Sequence, residues 1–303
     1  MEIKIGNRTV EITSADKVFF PDAGLTKGRL AQYYADIAGT MMHHVENRIV
    51  SMHRYPDGID GKDFYHKEVP DYFPDWVGSM QVQTRDAGTQ RQVLMTGAPT
   101  LVYLAQQGCV TPHVWLSRAD HLEKPDFVVW DLDPGEQGWD VLRDTARWLR
   151  DLLDELGLAA YLQVTGSSGI HVVSPIKPRH GFDRVREFAG QVADVLAARH
   201  SDVLTTAQRK NKREGRLFLD VMRNAYGQTA VPPYAVRGRQ GATVATPIDW
   251  DELGNSKMNA RRYTIENIPR RLANKDDPWA DIWRHKRSLD GPEDKLKSIK
   301  EDE

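Results

Sequence analysis

Two aspartates open the chemistry of this chain. Phe127-Val-Val-Trp-Asp-Leu-Asp-Pro-Gly135 is an apolar run that ends in Asp131 and Asp133 and is closed by Pro134 and Gly135. In a strand, residues i and i+2 face the same way, with Cα atoms about 6.6 Å apart. Two carboxylates so placed repel each other unless a cation lies between them. Mg²⁺ and Mn²⁺ take oxygen ligands of this type. The competing reading is a solvated strand end in which Asp133 opens a turn. A third acid, Asp220, closes a second apolar run, Leu217-Phe-Leu-Asp220. Three acids on two strands can hold two ions about 3.5–4 Å apart, the arrangement of in-line phosphoryl transfer. Pairing of Asp220 with Arg216 or Arg223 is the alternative.

Anion-binding groups accompany the acids. Thr165-Gly-Ser-Ser-Gly-Ile-His171 joins two expected strands. Its glycines let backbone amides approach an anion, while its hydroxyls and His171 are further donors. A tight turn with a satisfied histidine is the plain reading, and no Gly-Lys-Ser/Thr makes it a Walker A loop. Residues 205–240 hold eight bases and two acids, a local charge of +6 against −8 for the rest. Such a segment suits a triphosphate or a nucleic-acid backbone, although 210–214 alone reads as a solvated loop. Tyr234 and Val236 make Arg237-Gly-Arg239 look like a strand with one arginine face. Near the N-terminus, Lys17 and Lys27 flank a turn, and Arg54 and Lys62 bracket another, with Phe64 and Tyr65 beyond it. Bases among aromatics can track phosphates and stack a base, but strand aromatics also fill cores.

The positioning elements follow from periodicity. The pattern gives a hairpin about Gly6 and Asn7, a helix over 26–46 and strands over 49–55 and 64–67. It continues with a hairpin whose polar tip is 84–92, a helix over 99–107, and strands over 110–116 and 127–132. Helices over 138–156 and 182–199 then flank strands at 161–164 and 170–174, and 217–221 is the last strand. Residues 290–303, with six acids and three lysines, read as a frayed, flexible tail. Strands and helices alternate without βαβ regularity, so the class is α+β.

The 303 residues suffice for one large domain or two small ones, and 40% hydrophobic with 28% charged residues is ordinary for a globular protein. No apolar run reaches the roughly 18 residues of a membrane span. The opening MEIKIGNRTVEI lacks the build of a signal peptide. The single Cys109 excludes an internal disulfide and a Cys-rich zinc site. A cytoplasmic location is expected. The net charge of −2 points away from nucleic acid taken as a total, but its distribution does not.

Taken together, these residues resemble the archaeo-eukaryotic primase superfamily, and most closely the polymerase domain of bacterial ATP-dependent DNA ligase D, from about residue 16 to 283. Asp131-Leu-Asp133, Thr165-Gly-x-x-Gly-x-His171 and Leu219-Asp220 stand in that family's order. Asp16-Lys-Val-Phe-Phe-Pro21, His113-Val-Trp115, Arg223-Asn224, Pro233-Tyr-x-Val-Arg237-Gly-Arg239 and Pro247-x-x-Trp250-Asp-Glu-Leu253 add context. The resemblance implies a primase-polymerase core of mixed and antiparallel sheets flanked by helices, with an RRM-like catalytic half. It implies one domain over 1–289, whose half at about 1–105 binds DNA ends and whose half at about 106–289 is catalytic.

Carried over by residue, the catalytic metal ligands are Asp131, Asp133 and Asp220, for two ions, Mn²⁺ or Mg²⁺. Nucleotide contacts fall on Thr165, Ser168, Gly169, His171 and Arg237, with His113 and His53 beside them. A 5′-phosphate pocket falls on Lys17 and Lys27, template stacking on Phe64 with Tyr65 its neighbour, and an end-bridging loop on 84–92, with Arg85 and Arg91. Many relatives carry Lys at the positions of Ser168 and His53. A charge-assisted contact is worth about 1.5–3 kcal/mol, so weaker nucleotide binding is expected unless Lys210 or Lys212 substitutes.

The implied activity is that of a DNA-dependent DNA/RNA polymerase. It would extend a primer 3′-hydroxyl with NTPs or dNTPs, with a ribonucleotide preference, at gaps and breaks during non-homologous end joining. Its partners would be 5′-phosphorylated DNA, with Ku and a separate ligase, in the nucleoid and with no membrane. At this length the chain is a free-standing polymerase or an excised domain. A de novo primase, a weakly catalytic end-bridging module and a metal-dependent nuclease stay open beside this reading.

Overall fold

The computed structural model describes residues 1–84 and 88–302, and its secondary structure is mixed α+β. The chain folds as two compact units, each assembled from three stretches of sequence. Met1–Asp120, Thr229–Thr246 and Arg261–Asp277 form the first. His121–Gln228, Pro247–Ala260 and Pro278–Glu303 form the second.

The first unit opens with the expected hairpin, β1 (Glu2–Ile5) and β2 (Arg8–Glu11), then a second one, β3 (Val18–Phe20) and β4 (Leu25–Thr26). The helix expected over 26–46 is two helices, α1 (Lys27–Asp36) and α2 (Ala38–Val45). The backbone N–H of Ile37 still reaches Tyr33 at 3.0 Å and the N–H of Met41 bonds back to Ile37, so the hydrogen-bond chain carries on although Ile37, at ψ 0°, leaves the helical range. Buried Tyr33 and Tyr34 fix α1 by donating their hydroxyls to the carbonyls of Tyr234 (2.9 Å) and Val110 (2.6 Å). Next come β5 (Ile49–Arg54), β6 (Phe64–His66), β7 (Ser79–Thr84), β8 (Gly88–Leu94), α3 (Ala98–Gln106) and β9 (Cys109–Trp115). The sheet order is β15-β9-β5-β8-β7, where β15 is Thr229–Ala230; β6 pairs with the free half of β5. The polar tip expected over 84–92 is narrower, because Thr84 already pairs with Gly88 and Arg91 lies in β8 opposite Gln81. Arg85 lies outside the described residues.

The second unit holds β10 (Phe127–Asp133), α4 (Trp139–Leu156), β11 (Tyr161–Val164), β12 (Ile170–Pro175), α5 (Phe182–Arg199), β13 (Leu204–Thr205) and β14 (Leu217–Asp220). Its sheet runs β13-β14-β10-β12-β11-β16, with β16 at Thr246–Ile248, where the chain crosses from the first unit. Helices α4 and α5 contact β10 and each other. The Trp130 indole N–H donates to Ala189 of α5 at 3.0 Å. Trp130 and its same-face neighbours therefore meet the helices, and the alternation of a strand turns Asp131 and Asp133 to the other face.

A short helix α6 (Ile268–Asn274) follows in the first unit and α7 (Asp290–Asp302) in the second. The expected tail is thus helical. Pro292, Leu296 and Ile299 recur at i, i+4 and i+7, and Leu296 is fully buried; such a leucine contributes about 1.5–3 kcal/mol. Arg184 of α5 clasps Asp290 (3.0 Å) and Glu293 (2.5 Å). Among the described residues no helix is long and apolar enough to cross a membrane.

A buried polar knot ties the late segments of the first unit to α2. His44 Nε2 lies 2.6 Å from Asp277, whose other oxygen accepts the Tyr234 hydroxyl at 2.8 Å. Burial pushes His44 below the ordinary imidazole range; His43 and Arg48 add to this, while Asp277 opposes it. A depressed histidine binds its proton less readily folded than unfolded, so its contribution is full above the ordinary range and is lost as pH falls. Melting temperature should drop from about pH 7.5 to about 5.5, and the drop should be shallower in His44→Gln. Parallel profiles of the two proteins would contradict this.

Candidate active site

The candidate residues divide between the units. In the second, antiparallel pairing sets Asp131 directly across from Asp220 on one side and from His171 on the other, while Asp133 faces Phe218. Directly opposed residues share a face, so the three carboxylates share the face turned away from α4 and α5. Asn224 fixes this register. Its amide donates to the Val129 carbonyl (2.7 Å) and accepts the Val129 N–H (2.9 Å), continuing the ladder after β14 ends.

Each carboxylate is held by donors. Asp131 lies 3.5 Å from His171 Nε2 and 3.4 Å from Arg223 Nε. Burial raises its carboxyl, but the charges and hydrogen bonds of His171 and Arg223 outweigh that and hold it down at about 2. It is ionised at any working pH, and its stabilisation fades only as pH falls through that value. Asp133 meets Arg213 at 3.4 Å, whose guanidinium lies 3.8 Å over the Phe218 ring. Asp220 accepts the Met222 N–H at 2.7 Å. As they stand, no three His, Cys, Asp or Glu side chains among the described residues are gathered around one ion position. The donor set itself fits hard divalent cations: three oxygen ligands on one face, one of them firmly ionised, with cationic side chains already drawn to two. Arg213, Arg223 and Asn224 received no site role from sequence. Arg223-Asn224 stood beside Asp220 as context, but Arg213 is 80 residues from its partner.

The turn at 165–171 is built from inside. The Thr165 hydroxyl donates to the Gly169 carbonyl (3.0 Å) and accepts the N–H groups of Ser167 (3.3 Å) and Gly169 (3.2 Å). Thr165, expected as a nucleotide contact, thus also shapes the turn. Ser168 is exposed at its crest, and His171 is buried beside Asp131. Gly169 presses on β10: a Cβ there would lie 2.4 Å from the Leu132 carbonyl oxygen. Gly169→Ala should therefore displace the turn, costing about 1–3 kcal/mol and lowering nucleotide affinity by about tenfold. Fluorescence titration with nucleotide reads this out, and unchanged affinity would count against the turn's role.

In the first unit, His53 and His113 share a face of the sheet, with rings 6.1 Å apart. Cross-strand Tyr65 stacks on His53 at 4.2 Å and 12°. His53 Nε2 lies 2.6 Å from Asp63, and its Nδ1 3.4 Å from the Tyr55 hydroxyl. Burial, then Asp63 and Tyr65, push Tyr55 up to about 12, with Arg237 and Arg239 opposing. The expected arginine strand is an irregular hairpin, joined by the single bridge Val236–Val244 and the bond from the Arg237 N–H to Thr243 (2.7 Å). Tyr55 occupies the space over Gly238, where a Cβ would sit 2.2 Å from the ring. Exposed Phe64 lies under Arg54, 5.6 Å from the guanidinium.

Lys17 and Lys27 meet at the mouth of the β3–β4 hairpin, where the Lys27 N–H bonds the Lys17 carbonyl at 2.8 Å. Lys17 pairs with Asp57 at 2.6 Å. Lys27 is buried, and burial and then the charge of Lys17 pull its ammonium below the usual lysine range. Thr26 caps α1 through the Arg29 N–H, so two ammonium groups stand at a helix N-terminus, a setting that favours an anion.

Comparison with known proteins extends this picture. Residues 26–279 match the family described as LigD, primase-polymerase domain. The chain is 33% identical over 281 residues to the multifunctional non-homologous end joining protein LigD of Pseudomonas aeruginosa, covering 90% of this chain and 32% of that protein. It is 31% identical over 277 residues to the multifunctional non-homologous end joining DNA repair protein LigD of Mycobacterium tuberculosis H37Rv, covering 88% and 36%. It thus spans about a third of the length of these relatives. The solved polymerase domain of Mycobacterium tuberculosis ligase D in complex with DNA superposes with a TM-score of 0.85 at 29% identity, over 92% of this chain and 99% of that one. A match across most of the chain, with the three aspartates in register, makes this protein a member of the LigD primase-polymerase domain family.

Proposed function

We propose that this protein is a template-directed nucleotidyltransferase that extends a primer 3′-hydroxyl with NTPs or dNTPs at short gaps and broken ends in DNA repair by end joining. The observation that carries the reading is the register of Asp131 against Asp220, with Asp133 on the same face. Asp131, Asp133 and Asp220 would hold the two divalent ions, Mn²⁺ or Mg²⁺, which when bound lower the pKa of the attacking hydroxyl and neutralise the triphosphate and leaving pyrophosphate. The chain's own groups do the rest. Arg223 and His171 keep Asp131 ionised and oriented. Gly169 and Ser168 present backbone and hydroxyl donors to phosphate oxygens, on a turn whose shape Thr165 maintains.

In the first unit, His113, His53 and Arg237 serve the nucleotide, Lys17 and Lys27 a 5′-phosphate, and Phe64 with Tyr65 the template bases, with Arg91 and Arg85 reaching DNA ends. DNA is the partner, as for the Mycobacterium tuberculosis polymerase domain solved with it; Ku and a ligase domain fit the end-joining role of the LigD relatives, and the nucleoid is the place of action. A ribonucleotide preference belongs to the same reading. An end-bridging role is the second reading: His53 is committed to Asp63 and Ser168 carries no charge, which favours binding over turnover.

Primer extension on a gapped duplex, with and without a 5′-phosphate, comparing NTPs with dNTPs in Mn²⁺ and Mg²⁺, tests the proposal. Addition favoured by ribonucleotides and by the 5′-phosphate is expected. Gel-shift of ends without incorporation in either metal would replace it with the bridging role.

A further inference from the structure

Among the described residues the exposed Phe, Tyr and Trp side chains are Phe64, Tyr65 and Tyr72, and all three lie on or beside β6. Tyr65 opposes His53 and Phe64 opposes Arg54, so strand alternation turns Tyr65 to the His53 face and Phe64 to the other. On that second face Arg54 joins Phe64 to Tyr72. Its guanidinium lies 5.6 Å from the Phe64 ring centroid, and its Nη1 donates to the Tyr72 hydroxyl at 3.1 Å. We propose that Tyr72 is a second stacking residue for the template strand, taking an unpaired base next to the one that meets Phe64. The inference rests on the polymerase reading and extends it to gaps longer than one nucleotide.

Preorganisation, position and chemistry argue for it. Tyr72 is 61% exposed, yet it is held by Arg54 at its hydroxyl and by the buried Phe73 ring at 5.4 Å. A ring so fixed has little rotamer freedom left to lose when a base stacks on it. Because Phe64 and Tyr72 meet one guanidinium, bases on the two rings are neighbours on a strand. The platform also adjoins the pocket proposed for the 5′-phosphate. Arg54 Nε donates to the Gln107 carbonyl (2.8 Å), and Lys27 Nζ to the preceding carbonyl of Gln106 (3.5 Å). A strand crossing β6 thus passes from Tyr65 on the His53 face to Phe64 and Tyr72, close to where the downstream strand would begin. The bases here, Arg54, Lys62 and Lys67, are matched by Asp63, Glu68 and Asp71. Stacking rather than net charge therefore carries the contact. At a one-nucleotide gap the template beyond the coding base is already paired, so an unpaired base reaches Tyr72 only at longer gaps.

The test uses the full chain and three 5′-phosphorylated gapped duplexes: a one-nucleotide gap, a three-nucleotide gap, and the longer gap with abasic sites in place of its unpaired template bases. Affinity is measured by fluorescence anisotropy, and extension is measured alongside. Tyr72→Ala should weaken binding of the intact three-nucleotide gap about tenfold. It should change the abasic and one-nucleotide gaps by less than about twofold, since neither offers Tyr72 a base. Tyr72→Phe, which keeps the ring and loses the bond to Arg54, should stay within about threefold of the wild type. The loss in Tyr72→Ala should be the same at about 50 and about 200 mM salt, unlike a phosphate contact. Equal loss on all three duplexes, or no loss on the intact longer gap, overturns the stacking assignment, while extension of the one-nucleotide gap keeps the polymerase reading standing. Loss confined to the intact longer gap without extension of any duplex supports the stacking and removes the polymerase reading.

Discussion

Asp131→Ala combined with Asp133→Ala should reduce primer extension at least about 10³-fold while leaving DNA affinity within about twofold. The reason is electrostatic. Two of three oxygen ligands disappear, and with them the stabilisation of charge that builds on the attacking and leaving oxygens. A loss of about 4 kcal/mol is a thousandfold in rate. The DNA-contacting groups proposed here, Lys17, Lys27, Phe64 and Tyr65, belong to the other unit and keep their local supports. Removing the acids also leaves His171, Arg223 and Arg213 without those carboxylates. Anisotropy with gapped DNA and a melting curve therefore accompany the rate. Retained extension would remove the aspartates from the chemistry.

Lys17→Ala with Lys27→Met should abolish the preference for a 5′-phosphorylated gap, a loss of about 10- to 100-fold in affinity for that substrate, and leave the unphosphorylated gap unaffected. Burial and then the charge of Lys17 pull the Lys27 ammonium down, and an anion between the two would relieve both the desolvation and the repulsion. Methionine keeps the apolar stem of buried Lys27 packed while removing its charge. Because Lys17 is also paired with exposed Asp57, the advantage should shrink as salt rises. Equal preference in the variant and the wild type would reassign the pocket.

The three aspartates could be read from sequence because each ends an apolar run, and an acid there demands a reason. Their alignment could not. The pairing of Asp131 with Asp220 depends on two strands 89 residues apart, and on Asn224 extending the ladder by its side chain. Thr165 was legible as part of a turn, but whether its hydroxyl faces a ligand or the backbone depends on loop geometry. The interruption at Ile37 lies inside an unbroken apolar stripe, whose periodicity does not register a single residue leaving the helical range. Helix α7 escaped because three apolar residues among charges look like a solvated tail until α4 and α5 supply a surface to bury them. Tyr234 and the arginines after it alternate like a strand, yet Tyr234 adopts φ +66°, which breaks the extended run.

The most direct measurement is which nucleotide is added when the template base opposite a one-nucleotide, 5′-phosphorylated gap is changed through all four identities, with Mn²⁺ present. Incorporation that follows the complement at each template base, and that disappears in Asp131→Ala with Asp133→Ala, is the result this account predicts. Addition of the same nucleotide whatever the template base, or no addition at all, would contradict it.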